Sequence, residues 1–343
     1  MGRTGNVMLL LPIGMSTTLA GLAYAGHWAL HFDWKSWLEE FISGPGRNSR
    51  ILLVLFLVLN WKSLPLGWTF RILSSFAYHY LRPPVALPPR ALFHYAITAS
   101  RTSPLETDYN LHKSNSTYFS DVDVSRSHLV THLIVGAVPR LPALVRARCP
   151  NAPAKLGSFG IGLGAVFCSF RKELAPLQKY EMWSRVLSWD RKWLYIVTHF
   201  VPAGVVRPTA WDGRRGGPTR GRVVRSEDGK VVDEKDMSKY VCATAVSKYV
   251  FKMGRFTVHP AIVFEAAGLL PERPGEGWRG GEDETGVWEE LGELDEAGEW
   301  NWERVEHERR RGLELAKHFH ALDETNSLFD GGEDGAMGRF PLG

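Results

Sequence analysis

The amino-acid sequence predicts an α+β domain in which an antiparallel sheet wraps around one long central helix. Residues 116–133 lack Gly and Pro and place Tyr118 and Leu129 near helical spacing, which predicts a single helix. Residues 156–202 and 238–251 are rich in β-branched and aromatic side chains and are broken by turn residues, which is typical of strands. Because one helix among several strands buries its apolar side chains best under the sheet, we expect the helix to form the core of the domain.

Composition and charge describe a globular chain with unlike polar regions. Apolar residues make up 44% of the 343 residues, which is enough for a packed core and excludes wholesale disorder. The formal net charge of +4 combines a basic segment at 207–225 with an acidic segment at 282–306. Neither segment has the periodic basic face with interleaved aromatic residues that nucleic-acid binding needs, so no nucleic-acid partner is expected.

The cysteine, glycine and histidine spacings predict neither a metal site nor another cofactor. Cys149, Cys168 and Cys242 have no metal-ligand spacing, and three cysteines cannot all pair within one chain, which favours a reducing compartment. The glycines at 160, 162 and 164 lack the strand-to-helix context of a dinucleotide site. Four histidines show no ligand spacing with cysteines or acids: His128, His132, His199 and His259.

Residues 1–82 form a hydrophobic N-terminal region that we expect to associate with a membrane. No charged residue occurs at 7–26, a stretch long enough for a bilayer-spanning helix although Gly and Thr dilute its hydrophobicity. Residues 51–59 are more apolar but too short to span, and Lys62 and Arg71 beside them suit a membrane interface. Two interpretations stay open for the part after residue 50: an interfacial element, or a helical layer docked on the core. The endoplasmic reticulum membrane is the expected location, with the cytoplasm as the alternative.

The strands and the central helix follow in order along a domain predicted at 91–270. A first strand at 91–101 precedes the polar segment around Asp108, and Ser114 or Asn115 is expected to cap the central helix. The glycines at 157–164 suit a strand that bends sharply or passes close to other backbone. A hairpin turn is expected at 189–192. The later strands are expected at 156–174, 178–189, 193–202 and 238–251.

Composition sets the remaining boundaries. Residues 203–237 are too long, too basic and too rich in Gly for a hairpin loop, and they predict an insertion with a small ribbon turning at Asp228 and Gly229. The other segments are an acidic linker at 271–299, a C-terminal helix at 300–322 and a flexible tail at 323–343.

Three short motifs lie around the start of the central helix. They are Asp108-x-Asn110-x-His112, Ser114-Asn115-x-x-Tyr118 and Asp123-x-x-Arg126. Together they resemble the corresponding segment of hotdog-fold acyl thioesterases, most closely the membrane-anchored thioesterase-superfamily proteins of fungi and animals. The resemblance runs from residue 91 to residue 268 and includes the stretches 170–174, 188–192 and 249–255. The insertion and the Gly-rich strand depart from the family pattern, so the shape of the substrate pocket is not carried over.

The resemblance implies catalytic roles for Asp108, Asn110 and His112, which follow the order found in plant acyl-carrier-protein thioesterases. It also implies a homodimer with its site at the subunit interface and an acyl-CoA or acyl-carrier-protein substrate. Similar fungal proteins suggest lipid or secondary-metabolite biosynthesis, for example of a polyketide or lipopeptide, as the setting. In other hotdog lineages the working acid lies on the central helix, where Asp123 or Asp121 would take its place here.

The chemistry of these side chains supports the same site. A thioester is already activated, so its hydrolysis needs a positioned water or nucleophile, a base, and donors for the developing oxyanion. The Asp108 carboxylate can activate water or attack the carbonyl, Asn110 can position the reactants, and His112 can transfer a proton. Backbone N–H groups from Ser114 to Ser116 can bind the thioester oxygen, helped by the helix dipole.

Asn115 and Tyr118 complete the predicted substrate-binding set, yet every residue in the segment also has an ordinary structural explanation. An Asp-x-Asn loop is often an Asx turn, Asn115 can simply cap the helix, and Tyr118 can be a core residue. Asp123 beside Arg126 can be a helix-surface ion pair. Two other function classes stay open: a non-catalytic acyl-thioester-binding protein, and a hotdog dehydratase or isomerase. The latter is less favoured because the acid and the histidine are four residues apart with Asn between them.

Overall fold

The computed structural model of the protein describes residues 27–28, 30–82, 87–208, 223–225, 231–233, 237–272, 300–329 and 337. The predicted membrane-spanning stretch at 7–26 lies outside these residues, as do most of the acidic linker and most of the C-terminal tail. The chain divides into two compact units, Met1–Trp61 and Lys62–Gly343.

The first unit contains helices α1 (Trp34–Ser43) and α2 (Arg47–Asn60). The side chains at 51–58 are apolar and all exposed, although soluble monomers rarely leave a long contiguous apolar surface uncovered. Among the described helices, none is by itself long and apolar enough to cross a bilayer. The pair Trp34–Ser43 and Arg47–Ser63, which is bent by 108°, meets the requirement by length and composition.

The second unit is built on a six-stranded antiparallel sheet, which confirms the predicted α+β class. Its strands are β1 (Ala96–Arg101), β2 (Phe159–Phe170), β3 (Lys179–Trp189), β4 (Trp193–Pro202), β7 (Ala243–Met253) and β8 (Phe256–Val258), while β5 (Val223–Arg225) and β6 (Val231–Asp233) form a separate ribbon. The order across the sheet is β1, β3, β4, β7, β2, and β8 pairs with the end of β7. The ribbon lies within the predicted insertion; its expected turn at Asp228 and Gly229 falls outside the described residues.

Helices cover and fill this sheet. In the described part of the second unit they are α3 (Gly67–Leu81), α4 (Tyr118–Ile134), α5 (Leu141–Arg148), α6 (Pro260–Ala266) and α7 (Trp302–Ala321). The sequence predicted α4 and α7 but neither of the short helices α5 and α6. A 3₁₀ helix, Leu322–Leu328, follows α7 at the start of the predicted tail.

The central helix α4 is buried by the sheet around it, as in a hotdog fold. It packs against β1, β3 and β4, and Val122, Leu129 and Leu133 are buried in the core. Polar residues of the helix are buried too, including Asp121 and Arg126. A helix that is covered on several faces cannot keep all its polar side chains in water, so these residues need partners inside the protein.

The expected cap of the central helix is wrong. A 3₁₀ turn, Asn115–Thr117, precedes the helix, which begins at Tyr118, and neither Ser114 nor Thr117 makes a side-chain capping bond within the described residues. The hydroxyls have other partners instead. Ser114 Oγ lies 3.1 Å from Ser116 Oγ, and Thr117 Oγ1 donates to the Ser114 carbonyl at 2.7 Å.

The Gly-rich strand β2 bends where the sequence predicted close approach. The register between β2 and β7 shifts between Leu163 and Ala165, which marks a bulge at Gly164. A Cβ atom on Gly164 would lie 2.5 Å from a ring carbon of Trp193, so a larger residue would clash with the neighbouring side chain. Glycine is therefore needed here for space.

Two helices outside the predicted core domain also pack on it. Helix α3 lies against α4, which supports the docked-layer interpretation for this part of the N-terminal region. Helix α7 lies on β3 so closely that a Cβ atom on Gly312 would be 2.0 Å from the Leu187 carbonyl oxygen. Arg309 strengthens the contact, because its guanidinium donates to the Trp189 carbonyl at 3.0 Å and its own carbonyl accepts from Ser188 Oγ at 2.6 Å.

Candidate active site

The segment from Asp108 to His112 folds into a tight loop closed at both ends. Thr107 and Lys113 form an antiparallel bridge below it, and the Asp108 N–H donates to the His112 carbonyl at 3.0 Å. Leu111 adopts a left-handed backbone with φ of 61°, which costs a non-glycine residue about 1–2 kcal/mol. Such a conformation persists where the surrounding structure holds it, and it brings residues 108 and 112 side by side.

Asp108 and His112 face each other at the mouth of this loop. Asp108 Oδ1 accepts from the Asn110 N–H at 2.9 Å, as in an Asx turn, while Oδ2 lies 3.6 Å from His112 Nδ1. The two side chains are 22% and 19% exposed, so they are shielded but open to a substrate. On the other side of the imidazole, Nε2 lies 3.7 Å from Glu173 Oε1. The 3.6 Å separation is an ion-pair distance rather than a hydrogen bond, and His112 Nδ1 also lies 3.4 Å from the Lys113 carbonyl oxygen. The loop thus places a carboxylate and an imidazole next to each other.

The Asn110 side chain lies at the exposed tip of the loop. The contact that it makes with Asp108 uses its backbone N–H. Its amide is therefore placed to meet a substrate from outside, whereas its main-chain N–H holds the Asp108 carboxylate.

The backbone N–H groups predicted to bind the thioester oxygen differ in availability. The Ser114 N–H is engaged, because it donates to the Glu106 carbonyl at 2.7 Å. Asn115 and Ser116 are exposed and begin the 3₁₀ turn, where helical geometry provides no internal acceptor for the first N–H groups. The geometry thus narrows the candidate oxyanion donors to Asn115 and Ser116.

Asp123 lies on the central helix and is paired with another group. Its carboxylate binds the guanidinium of Arg126, which is 1% exposed and also donates to Ser247 Oγ. The same guanidinium lies over the Tyr249 ring, 5.1 Å from its centre. Asp123 therefore neutralises a buried cation, and the contacts of the described residues bring Asp108 together with His112 rather than with Asp123.

Tyr118 is held in the core. Its ring makes edge-on contacts with Phe170 and Phe200 at centroid distances of 5.0 and 4.9 Å. Burial raises the pKa of its hydroxyl, so the phenol stays neutral. Any contact between Tyr118 and an acyl chain would be an apolar one inside the domain.

A cluster of buried ion pairs lies beneath the loop, and the sequence did not predict that its residues come together. Asp121 has no exposed surface and lies within ion-pair distance of Lys62, Arg71 and Lys113. Burial alone would raise the pKa of Asp121, but the three cations hold it well below its usual range. Asp121, which the sequence left open as an alternative acid, is thus a buried counter-ion. The clue in the sequence was the pair of charges, Glu106 and Lys113, that flank the motif.

The fold and this site define a class of protein. Residues 102–251 match the family model of the thioesterase-like superfamily. The chain is 37% identical over 293 residues to thioesterase poxG of Penicillium oxalicum, which covers 82% of this chain and 86% of the relative. It is 34% identical over 301 residues to probable thioesterase atnL of Emericella nidulans, covering 84% and 90% of the two chains. The chain therefore belongs to the thioesterase-like superfamily.

The chain is also similar to a third fungal thioesterase and to two bacterial proteins of known structure. Thioesterase lcsJ of Purpureocillium lilacinum is 31% identical over 311 residues, which cover 76% of this chain and 86% of the relative. The probable thioesterase YbaW of Escherichia coli superposes with a TM-score of 0.31 at 8% identity, covering 50% of this chain and 96% of that one. A hypothetical protein of Thermus thermophilus gives 0.29 at 12% identity, with coverage of 51% and 98%.

Proposed function

We propose that this protein hydrolyses an acyl thioester, with Asp108 and His112 as the reacting pair. The observation that carries the proposal is the 3.6 Å approach of Asp108 Oδ2 to His112 Nδ1 in a loop that immediately precedes the Asn115 and Ser116 amides. The family membership and the relatives named thioesterases support the same reaction.

The chemistry follows from this placement. A water oxygen attacks the thioester carbonyl carbon while the Asp108–His112 pair takes the water proton. The Asn115 and Ser116 N–H groups stabilise the carbonyl oxygen as it gains negative charge. The C–S bond then breaks, the protonated pair returns its proton to the thiolate, and a carboxylic acid and a free thiol leave. In a single turnover in isotope-labelled water, label in Asp108 would show direct attack by its carboxylate, through a mixed anhydride that water opens at the aspartyl carbonyl. Attack by water on the thioester places the label in the released acid alone.

The substrate is an acyl group on coenzyme A or on a carrier protein, and fungal lipid or secondary-metabolite biosynthesis is the proposed setting.

The test is thiol release from a panel of acyl-CoA chain lengths and carrier-linked acyl groups. Replacing a general acid–base group should lower kcat by about 10²–10⁴-fold in Asp108→Asn. Asp123→Asn is the matched control and should keep kcat in the folded protein. Release by wild type at background level throughout would overturn the proposal, and equal rates in Asp108→Asn would move the chemistry elsewhere.

A binding protein without turnover is the second candidate. It is favoured by one observation, the Asx turn in which Asp108 Oδ1 accepts from the Asn110 N–H. This candidate requires two results: acyl-CoA binding is unaffected by Asp108→Asn, and the wild type releases no thiol. Hydration of an enoyl thioester by the wild type would point instead to the dehydratase alternative.

The sheet edge supports a homodimer with a site near the subunit interface. β2 is an outer strand of the sheet, and it exposes Ile161 (40%), Leu163 (48%) and Phe167 (45%). A long apolar edge strand invites pairing with another chain. We expect sedimentation velocity to show a dimer that Phe167→Lys dissociates, whereas Leu315→Lys, at an exposed position of α7, leaves it intact. A monomeric wild type would contradict the proposed dimer.

Membrane association rests on the exposed apolar face of α2. Side chains of its central part, such as Leu53 and Leu55, are more than half exposed, and such a surface suits a lipid interface. We propose a location at the endoplasmic reticulum membrane, with the cytoplasm as the alternative. The protein should float with phosphatidylcholine vesicles, and Leu53→Lys should weaken this binding while Leu315→Lys does not. Release by a carbonate wash would argue against a spanning segment.

A further inference from the structure

Six side chains form a buried ionic cluster beneath the candidate catalytic loop. Glu106 and Asp121 supply the negative charges, Lys62, Arg71 and Lys113 supply the positive charges, and the Tyr180 hydroxyl donates to Asp121. Lys62 Nζ lies 2.7 Å from Glu106 Oε2 and 3.3 Å from Asp121 Oδ2. All four acidic and lysine side chains are at most 7% exposed. Buried charges at this density are tolerated only while each has its counter-charge.

The cluster holds both ends of the loop. Glu106 and Lys113 stand just before and just after residues 107–112, and Lys113 Nζ lies 3.2 Å from Glu106 Oε2 and 2.9 Å from Asp121 Oδ2. A backbone hydrogen bond also joins the two ends of the loop, since the Ser114 N–H donates to the Glu106 carbonyl. The strained backbone at Leu111 needs such external support. The position of His112 therefore depends on where its neighbour Lys113 is held.

Two of the three cations come from outside the segment that matches the family model. Lys62 lies just before α3 and Arg71 lies on it, whereas the match covers residues 102–251. Arg71 Nη2 reaches Asp121 Oδ1 at 2.7 Å. Without these cations the carboxylates of Glu106 and Asp121 would share Lys113 alone. A buried carboxylate that loses its cation takes up a proton or draws in water, and either change loosens Lys113.

We propose that Lys62 and Arg71 are positioning residues of the active site, and that helix α3 thereby forms part of the catalytic apparatus. They act through Asp121 and Glu106 on Lys113, which fixes the His112 end of the loop. The inference rests on the proposed function for its kinetic part. Its structural part concerns the geometry of the loop and can be measured without any turnover.

The experiment compares Arg71→Gln, Lys62→Met and Arg71→Lys with a matched control, His79→Gln. His79 also joins α3 to α4, through a 3.2 Å contact of its Nε2 with His128 Nδ1, but it lies outside the cluster. The first readout is hydrogen exchange of the amides of Asp108, Leu111, Lys113 and Ser114, each of which donates a backbone hydrogen bond in or beside the loop. The second readout is kcat and KM for thiol release by the full chain.

We expect exchange in the loop to quicken about tenfold or more in Arg71→Gln and Lys62→Met, while the amides of the central helix keep their protection. Because a small misplacement of a catalytic group can cost about 10²-fold in rate, kcat should fall at least tenfold with KM nearly unchanged. Arg71→Lys should restore most of both properties, and His79→Gln should lower stability without quickening exchange in the loop.

Unchanged loop exchange in Arg71→Gln and Lys62→Met overturns the proposal, and so does equal quickening in His79→Gln. If Lys62→Met does not fold, Arg71→Gln still decides between positioning and general packing, because only a positioning role quickens its loop exchange beyond that of Arg71→Lys and His79→Gln. Faster loop exchange in a protein whose wild type releases no thiol would leave the positioning role standing and would refute the proposed function alone.

Discussion

His79 should make the second unit lose stability as the solution becomes mildly acidic. Its side chain is buried between α3 and α4, beside His128 and His132, with ring centres 5.4 and 5.1 Å away. Burial, and then the charges that His132 and His128 can carry, lower the pKa of His79 from 6.5 to about 4. The folded protein therefore binds fewer protons than the unfolded chain between these two pKa values.

The sign and size of the effect follow from this difference. A group whose folded pKa is depressed in this way favours the unfolded chain as protons are added, so stability falls as pH drops from 6.5 toward 4. Below the folded pKa both states are protonated and the loss levels off. Between about pH 7 and about pH 5, linkage at His79 alone removes about 2 kcal/mol from the free energy of unfolding.

Urea unfolding at a fixed protein concentration measures this loss. Wild type and His79→Gln are compared at both pH values, and the variant should lose about 2 kcal/mol less than wild type between them. Burial also lowers the pKa of His128 and of His132. Both histidines remain in the variant, so their contribution to the pH dependence is present in both proteins. A difference between the two proteins below about 0.5 kcal/mol would refute a depressed pKa at His79.

Two further predictions concern packing. Gly→Ala usually stabilises a helix, but Gly312→Ala places a Cβ atom 2.0 Å from the Leu187 carbonyl and should cost about 1–3 kcal/mol in thermal or urea unfolding. Gly136→Ala, whose Cβ atom would meet no atom of the described residues within 4 Å, is the control, and an equal response of both variants would contradict the close contact of α7 with β3. Tyr118→Ala should cost about 3–5 kcal/mol of unfolding free energy, because it empties a packed aromatic site. A stable Tyr118→Ala variant with an altered KM would instead make Tyr118 part of the substrate site.

Periodicity and residue type were sufficient to predict the main elements of the second unit. The central helix, the strands β2, β3, β4 and β7, and the helix α7 all overlap the predicted segments, with ends shifted by a few residues. Those patterns are local. When one face of an element is buried, apolar residues repeat about every two positions in a strand and about every 3.6 positions in a helix. The short helices α5 and α6 leave fewer than three turns of pattern, which is too little to separate from a loop.

The sequence alone determined which loop was the candidate site, because Asp108, Asn110 and His112 fall within five consecutive residues whose pattern resembles that of hotdog-fold thioesterases. Tertiary structure decided how these residues are held. The approach of Asp108 to His112 depends on a left-handed Leu111 and on a bridge below the loop, and neither is visible in residue types.

Lys62, Arg71 and Asp121 come together from segments up to 59 residues apart. Long-range ion pairs leave no periodic trace in a single sequence, so only the folded chain shows that the cluster of charges supports the loop.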